Sequence, residues 1–136
     1  MDPAAALADL TEISSQVETA VLLDGEGGVL ASTFADEAAA RRLAETAVAL
    51  LGAAGAAPTS RGREVTQLEV ELREASVFVV REAARTIAAT TVAEPTGGLV
   101  LYDLRACLRS LDPPKKAARQ PRAGRQSAPE TEAADA

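Results

Sequence analysis

"LLDGEGGVLAS", Leu22–Ser32, decides the fold. Gly25, Gly27 and Gly28 fall between two short apolar runs, so the segment is either a loop that cradles a phosphate or a tight turn between strands. A phosphate loop leads from a strand, through the glycines, into a helix whose N-terminus faces the anion. Here the residues that follow, "GVLASTF" (Gly28–Phe34), read as a strand. A Walker loop needs Gly-Lys-Ser/Thr, and the stretch has no lysine. The third glycine is displaced from the dinucleotide pattern, and a calcium loop would need regularly spaced oxygens where only Asp24 and Glu26 offer carboxylates. "DGEGG" is therefore expected to be a hairpin turn in which glycine supplies a positive φ. It joins a β-rich run, "VETAVLLD" (Val17–Asp24), to Gly28–Phe34.

Working outward, "AAALADLTEI" places Leu7, Leu10 and Ile13 at helical spacing, with Pro3 in the first turn. "DEAAARRLAETAVALLGAAGAA" (Asp36–Ala57) is the strongest helix, capped by Asp36 and favoured by Glu37 at its positive end. At 100° per residue, Ala39, Leu43, Ala47, Leu50, Leu51 and Ala54 share one apolar face. A flanking face is small: Ala38, Ala49, Gly52, Ala53 and Ala56, with Arg42 and Thr46 beside them. Small residues admit a second backbone at close range, and an alanine-rich genome produces the same pattern. "PTSRGRE" (Pro58–Glu64) is a loop. "EVTQLEVELRE" then alternates, with Leu68, Val70 and Leu72 on one side and Val65, Gln67, Glu69 and Glu71 on the other. Strands follow at Ala75–Glu82 and Thr86–Val92. A last helix spans Leu99–Leu111, with Val100, Leu101, Leu104, Cys107, Leu108 and Leu111 on its stripe, and Pro113 and Pro114 stop it. The order is helix, strand, strand, helix, three strands, helix. It predicts a five-stranded antiparallel sheet with helices on its faces, an α+β sandwich.

Composition narrows the function. The chain has 136 residues, one Cys and no His. Without His the commonest general base and metal ligand is missing, and Cys107 on an apolar helix face reads as a small core residue. No Gly-x-Ser-x-Gly elbow occurs. Nothing points to an enzyme, a cofactor or a metal. Up to Leu111 there are nine Arg and 16 Asp/Glu, a net of −7; beyond it, five Lys/Arg and four Asp/Glu give +1. An acidic body repels nucleic acid. No run approaches the roughly 18 apolar residues of a membrane span, and "MDPAAALADL" lacks the basic start of a secretory signal. A cytoplasmic, bacterial protein is expected, with one domain at 1–111. Residues 112–136 lack Leu, Ile, Val and aromatics and are expected to be a disordered tail; its basic half, Lys115 to Arg125, is either simply solvated, the reading favoured by composition, or a contact for an acidic partner or an anionic lipid surface.

The strand–"DGEGG"–strand hairpin, the alanine-rich helix, the three-strand meander and the closing "TGGLVLYDLRACLRSL" together resemble the roadblock / dynein light chain family. The resemblance implies a profilin-like α/β/α sandwich, with the long helix on one face of the sheet and the terminal helices on the other. It also implies a homodimer in which the long helices of two subunits pack side by side and the third strands join. The implied dimer residues are Ala38, Arg42, Thr46, Ala49 and Ala53 on the helix and Val65, Gln67, Glu69 and Glu71 on the strand. Relatives commonly serve small Ras-like GTPases, which implies a non-enzymatic regulator or scaffold with Arg41, Arg42 and Glu45 facing the GTPase. An arginine finger would come from Arg61 or Arg63. The alternatives are a structural adaptor docking on a larger complex without nucleotide dependence, and a small-molecule sensor, which a tightly packed aliphatic core disfavours.

Overall fold

A computed structural model describes residues 1–113. Helix α1 (Pro3–Ile13) leads into strands β1 (Val17–Leu23) and β2 (Val29–Ser32). Helix α2 (Glu37–Gly55) and a single 3-10 turn (Pro58–Ser60) lead to β3 (Gln67–Glu71), β4 (Ser76–Glu82), β5 (Arg85–Thr91) and helix α3 (Gly97–Arg109). The five strands form one sheet in the order β2-β1-β5-β4-β3, with every neighbouring pair antiparallel. The expected α+β sandwich is the observed one. Helix α2 lies over β1, β2 and β5, and α1 and α3 lie together, α1 against β1 and β2 and α3 against β4 and β5.

"DGEGG" is a turn. The Asp24 N–H donates to the Gly28 carbonyl at 2.9 Å and the Gly27 N–H to the Asp24 carbonyl at 3.2 Å. The Asp24 carboxylate accepts from the N–H groups of Glu26 (2.8 Å) and Gly28 (2.9 Å), an Asx turn closing on itself. Of the three glycines only Gly27, at φ +88°, has a positive φ, while a Cβ on Gly28 would come within 3.0 Å of the Asp24 carboxylate that closes the turn. Strand β2 is shorter than expected because Thr33 leaves the ladder while still serving it: its hydroxyl accepts from the Ala20 N–H at 2.9 Å. Phe34 turns to pack beneath α2.

The N-terminal caps of α1 and α2 each depend on a single aspartate. Asp2 accepts from the Ala5 N–H at 2.8 Å and Asp36 from the Ala38 N–H at 3.0 Å, each satisfying a donor the first helical turn leaves unpaired. Helix α3 starts and ends two residues earlier than expected, at Gly97 and Arg109, because Pro95 and Thr96 already release the chain from the preceding turn.

The sheet carries a core on each face. On one side Leu22, Phe78, Val80 and Ile87 meet Leu7 and Leu10 of α1 and Val100, Leu104 and Leu108 of α3. On the other, Val21, Leu23, Val79 and Ala88 meet Ala40, Ala44, Ala47 and Leu51 of α2. This corrects the face expected for α2. Its buried stripe is turned toward the alanines, and Ala39, Leu43, Leu50 and Ala54 form a half-buried shoulder. The stripe is methyl-sized for most of its length, with Leu51 joining it only in the last turns, and the short side chains let the helix pack closely on the sheet. Two further apolar residues are displaced outward. Ile13, the last residue of α1, is 65% exposed, and Leu72, in the turn after β3, is 53% exposed.

Phe78 is fully buried in the middle of β4. Phe78→Ala is expected to lower unfolding free energy by about 3–5 kcal/mol, and Gly27→Ala by about 1 kcal/mol through its positive φ, both read from urea denaturation midpoints.

Candidate interaction surfaces

Strand β3 is left bare by the layers that cover its neighbours. It is an edge strand, and its extensive packing is against β4. Gln67 opposes Val80, Glu69 opposes Phe78 and Glu71 opposes Ser76. The Arg81 N–H donates to the Thr66 carbonyl and the Leu72 N–H to the Ala75 carbonyl, both at 2.8 Å. Even-numbered residues therefore spend their backbone groups on β4. By the antiparallel alternation, Gln67, Glu69 and Glu71 turn theirs to the open edge. The side chains of these three are exposed, while Leu68 and Val70 are half-buried on the α2 side. Val65 departs from the alternation expected for it. It precedes the strand and packs with the core under α2, within 4.0 Å of where a Cβ on Gly55 would sit.

The small face of α2 is open. Arg42, Thr46, Ala49, Gly52, Ala53 and Ala56 are exposed or, like Ala38, half-buried. The Thr46 hydroxyl donates to the Arg42 carbonyl at 2.8 Å, which leaves its methyl group as the outward feature. A Cβ on Gly52 would meet nothing within 4 Å. The half-buried shoulder of Leu43 and Leu50 borders this face, so the apolar surface offered is wider than the alanines alone suggest. Arg41 and Glu45 are exposed beside it, and the three charged residues make no ion pair within 4.0 Å among the described residues.

The loop arginines differ from each other. Arg63 folds back, donating from Nε to the Ser60 carbonyl (3.0 Å) and from its terminal nitrogen to the Thr59 carbonyl (3.2 Å). Arg61 sits in the left-handed region at φ 55° with its side chain exposed. Arg63 is thus occupied in shaping the turn and Arg61 is the one projected from it.

Chemistry-bearing groups are sparse. Among the described residues no group of three or more Cys, Asp or Glu stands close enough to hold a metal ion, and no helix is long and apolar enough to cross a membrane. Cys107 is buried; its thiol is pushed up to about 11, first by burial and then by the charge of Asp9. A cleft of about 500 Å³ lies where Met1 and Pro3 meet Leu30, Arg85, Leu111 and Pro113. Its rim is a clasp: the Met1 amine donates to the Ser110 carbonyl at 2.7 Å and to Asp112 at 2.9 Å, and Arg85 donates to the Asp112 carbonyl. The polar groups are engaged with one another, which leaves the walls apolar. Residues 114–136, most of the expected tail, lie outside the described residues.

The Roadblock/LC7 domain model matches residues 4–91, which is α1 through β5. The fold is similar to that of a Roadblock/LC7 domain from Streptomyces avermitilis at 23% identity and a TM-score of 0.72, covering 81% of this chain and 94% of that one. It is similar to Myxococcus xanthus MglB at 15% identity and 0.58, covering 76% and 77%. It is also similar to the gliding protein mglB of Thermus thermophilus at 18% identity and 0.53, covering 77% and 85%. No curated protein is significantly similar in sequence.

Because the folded state holds the Cys107 proton above its ordinary value of 9.0, stability contributed by the protonated thiol falls as pH rises through 9.0 to about 11. Wild type is expected to lose denaturation midpoint across that window faster than Cys107→Ala. An alkylating reagent at about pH 8 should reach the thiol only after denaturant is added.

Proposed function

Because this chain belongs to the Roadblock/LC7 domain family, we propose that it is a non-enzymatic homodimer that regulates or scaffolds a small Ras-like GTPase. The observation that carries the reading is the pair of uncovered surfaces, the open edge of β3 and the small face of α2. One free strand edge is an aggregation hazard unless something covers it, and a second copy of the same edge covers it with matching geometry. The dimer residues are Ala38, Arg42, Thr46, Ala49 and Ala53 on α2 and Gln67, Glu69 and Glu71 on β3, with Val65 beneath them. One of the MglB structures of similar fold is described as having a tetrameric arrangement, which is in keeping with self-association on this architecture.

Two α2 helices packed side by side leave the strip bearing Arg41, Arg42 and Glu45 at the outer rim of the pair, and this strip is the GTPase-facing surface. Guanidinium groups there carry no competing ion pair, among the described residues, to break before a partner docks. Arg61, projected from its turn, is the residue positioned to act as a finger, whereas Arg63 is committed to its own loop. The reaction chemistry belongs to the GTPase, and this chain supplies position and charge.

Ala49→Arg with Ala53→Arg is expected to halve the mass seen by light scattering while leaving the circular dichroism spectrum nearly unchanged, with a lower thermal midpoint that no longer depends on protein concentration. A wild-type protein that stays monomeric at high concentration removes the dimer.

Capture from source-cell lysate loaded with a GTP analogue or with GDP should enrich a small GTPase in one nucleotide state. Titration of that GTPase with Arg41→Glu/Arg42→Glu is expected to weaken binding by about 1–3 kcal/mol. Equal recovery of non-GTPase partners in both states would favour a structural adaptor instead.

A further inference from the structure

Helices α1 and α3 lie side by side and antiparallel on the sheet. Near one end the Cys107 thiol donates to the Ala6 carbonyl at 3.6 Å, and near the other the Thr96 N–H donates to the Gln16 side-chain oxygen at 2.6 Å. The outer surface of this pair is apolar in a way solvation does not require. Tyr102 is 70% exposed and Leu99 50% exposed. The two phenylalanines, by contrast, serve the core: Phe78 is fully buried and Phe34 packs beneath α2. The exposed patch crosses both helices. Ile13 shares a narrow groove with Ala106, and Ala106 shares a shallow hollow with Tyr102, Arg105 and Arg109. Helix α3 lies outside the residues that the family model matches, 4–91.

Charge is sorted by helix. Helix α1 carries Asp9 and Glu12 and no basic residue. The outward charges of α3 are Arg105 and Arg109, since its one acid, Asp103, is buried. Arg109 is bonded to Glu82 at 2.6 Å, while Glu12 and Arg105 make no ion pair within 4.0 Å among the described residues. An acidic helix beside a basic one is self-complementary. A two-fold axis running along the helices sets α1 of one copy over α3 of the other, and does so twice. Such an axis preserves level along the helices. Ala6 stands beside Cys107 and Gln16 beside Thr96, so Glu12 comes level with residues 100–101. Arg105 is then about 6–7 Å further along at 1.5 Å per residue, within reach of two long side chains. Tyr102 meets the partner's α1 between Ala8 and Glu12. Tyrosine and arginine in such a patch are the residue types that anchor protein contacts.

We infer that the α1–α3 face is a self-association surface, on the opposite side of the sheet from α2, through which two copies pack back to back on Ile13, Leu99 and Tyr102 with Glu12 of each set against Arg105 of the other. The face is small. Helices of 11 and 13 residues are only about 16–20 Å long, less than a standard interface of roughly 800 Å² per partner demands, so the contact forms as the protein is concentrated. The inference rests neither on the GTPase reading nor on pairing through β3 and α2. Where both faces pair, pairs join into larger assemblies.

Tyr102 is the only Tyr in a chain without Trp, so intrinsic emission excited on the tyrosine band reports on this position. As the full chain is concentrated, Tyr102 should lose accessibility to acrylamide while the mass seen by light scattering rises by a further doubling. Arg105→Glu should abolish both changes, and Arg105→Glu with Glu12→Arg should restore them. Circular dichroism checks that these exposed substitutions leave the fold intact. Ala49→Arg/Ala53→Arg should leave the protection of Tyr102 in place, which separates failure of this face from failure of the α2 and β3 pair. Equal accessibility of Tyr102 at every concentration, protection of Arg105→Glu as strong as that of wild type, no recovery in the charge-swapped chain, or loss of protection in Ala49→Arg/Ala53→Arg would each overturn the assignment.

Discussion

The contact of α2 with the sheet sets the rest of the molecule. Ala40, Ala44 and Ala47 rest on Val21, Leu23, Val79 and Ala88, and side chains this short place a helix backbone close over β1 and β5. With α1 and α3 on the far side, β1 and β5 are buried on both faces over their middles, where Ala20–Leu23 and Ile87–Ala89 are buried without alternation. A three-layer stack of this kind on 113 described residues supplies a large core without aromatic mass, since the body contributes only two Phe and one Tyr. The cost of building with alanine is that each layer must be in close register, because little side-chain length remains to fill a gap.

That contact also determines what is left uncovered. Helix α2 spans β1, β2 and β5, and α3 reaches β4 and β5, so β3 receives a full layer from neither side. The strand and the outer surface of α2 are therefore bare for one reason: the covering elements run out before the sheet does. The residues that close the core thus also decide which strand of the sheet is left without a covering layer.

Much of this is legible in the sequence. The hairpin follows from the strand-like run after its glycines, and the cap of α2 from Asp36, because turns and caps are local and their chemistry is carried by one or two residues. The burial of α2 is misjudged when leucine is weighted above alanine. Hydrophobicity ranks Leu43 and Leu50 as the inward face, while packing against a flat sheet ranks Ala40 and Ala44 higher, and no property of the helix alone reveals which criterion applies. Val65 is misplaced by extending an alternation past the start of β3, where the backbone has not yet become a strand. Ile13 and Leu72 sit at element ends, where periodicity loses its meaning. The proposed dimer and partner surfaces come from family resemblance more than from periodicity, because exposed small or charged residues carry no local signal of what covers them.

The alternation of β3 has a further effect on what can join it. The residues whose N–H and C=O groups point to the open edge are Gln67, Glu69 and Glu71, and two of these three carry carboxylates on the same face of the sheet. A strand that adds here sets every second side chain beside that acidic row. Hydrogen bonding at the edge accepts any extended backbone, but carboxylates directly opposite one another repel, so a second copy of β3 is favoured in a register that staggers its Glu69 and Glu71 against this row. Within five residues the charges thus select the register of whatever strand the backbone admits.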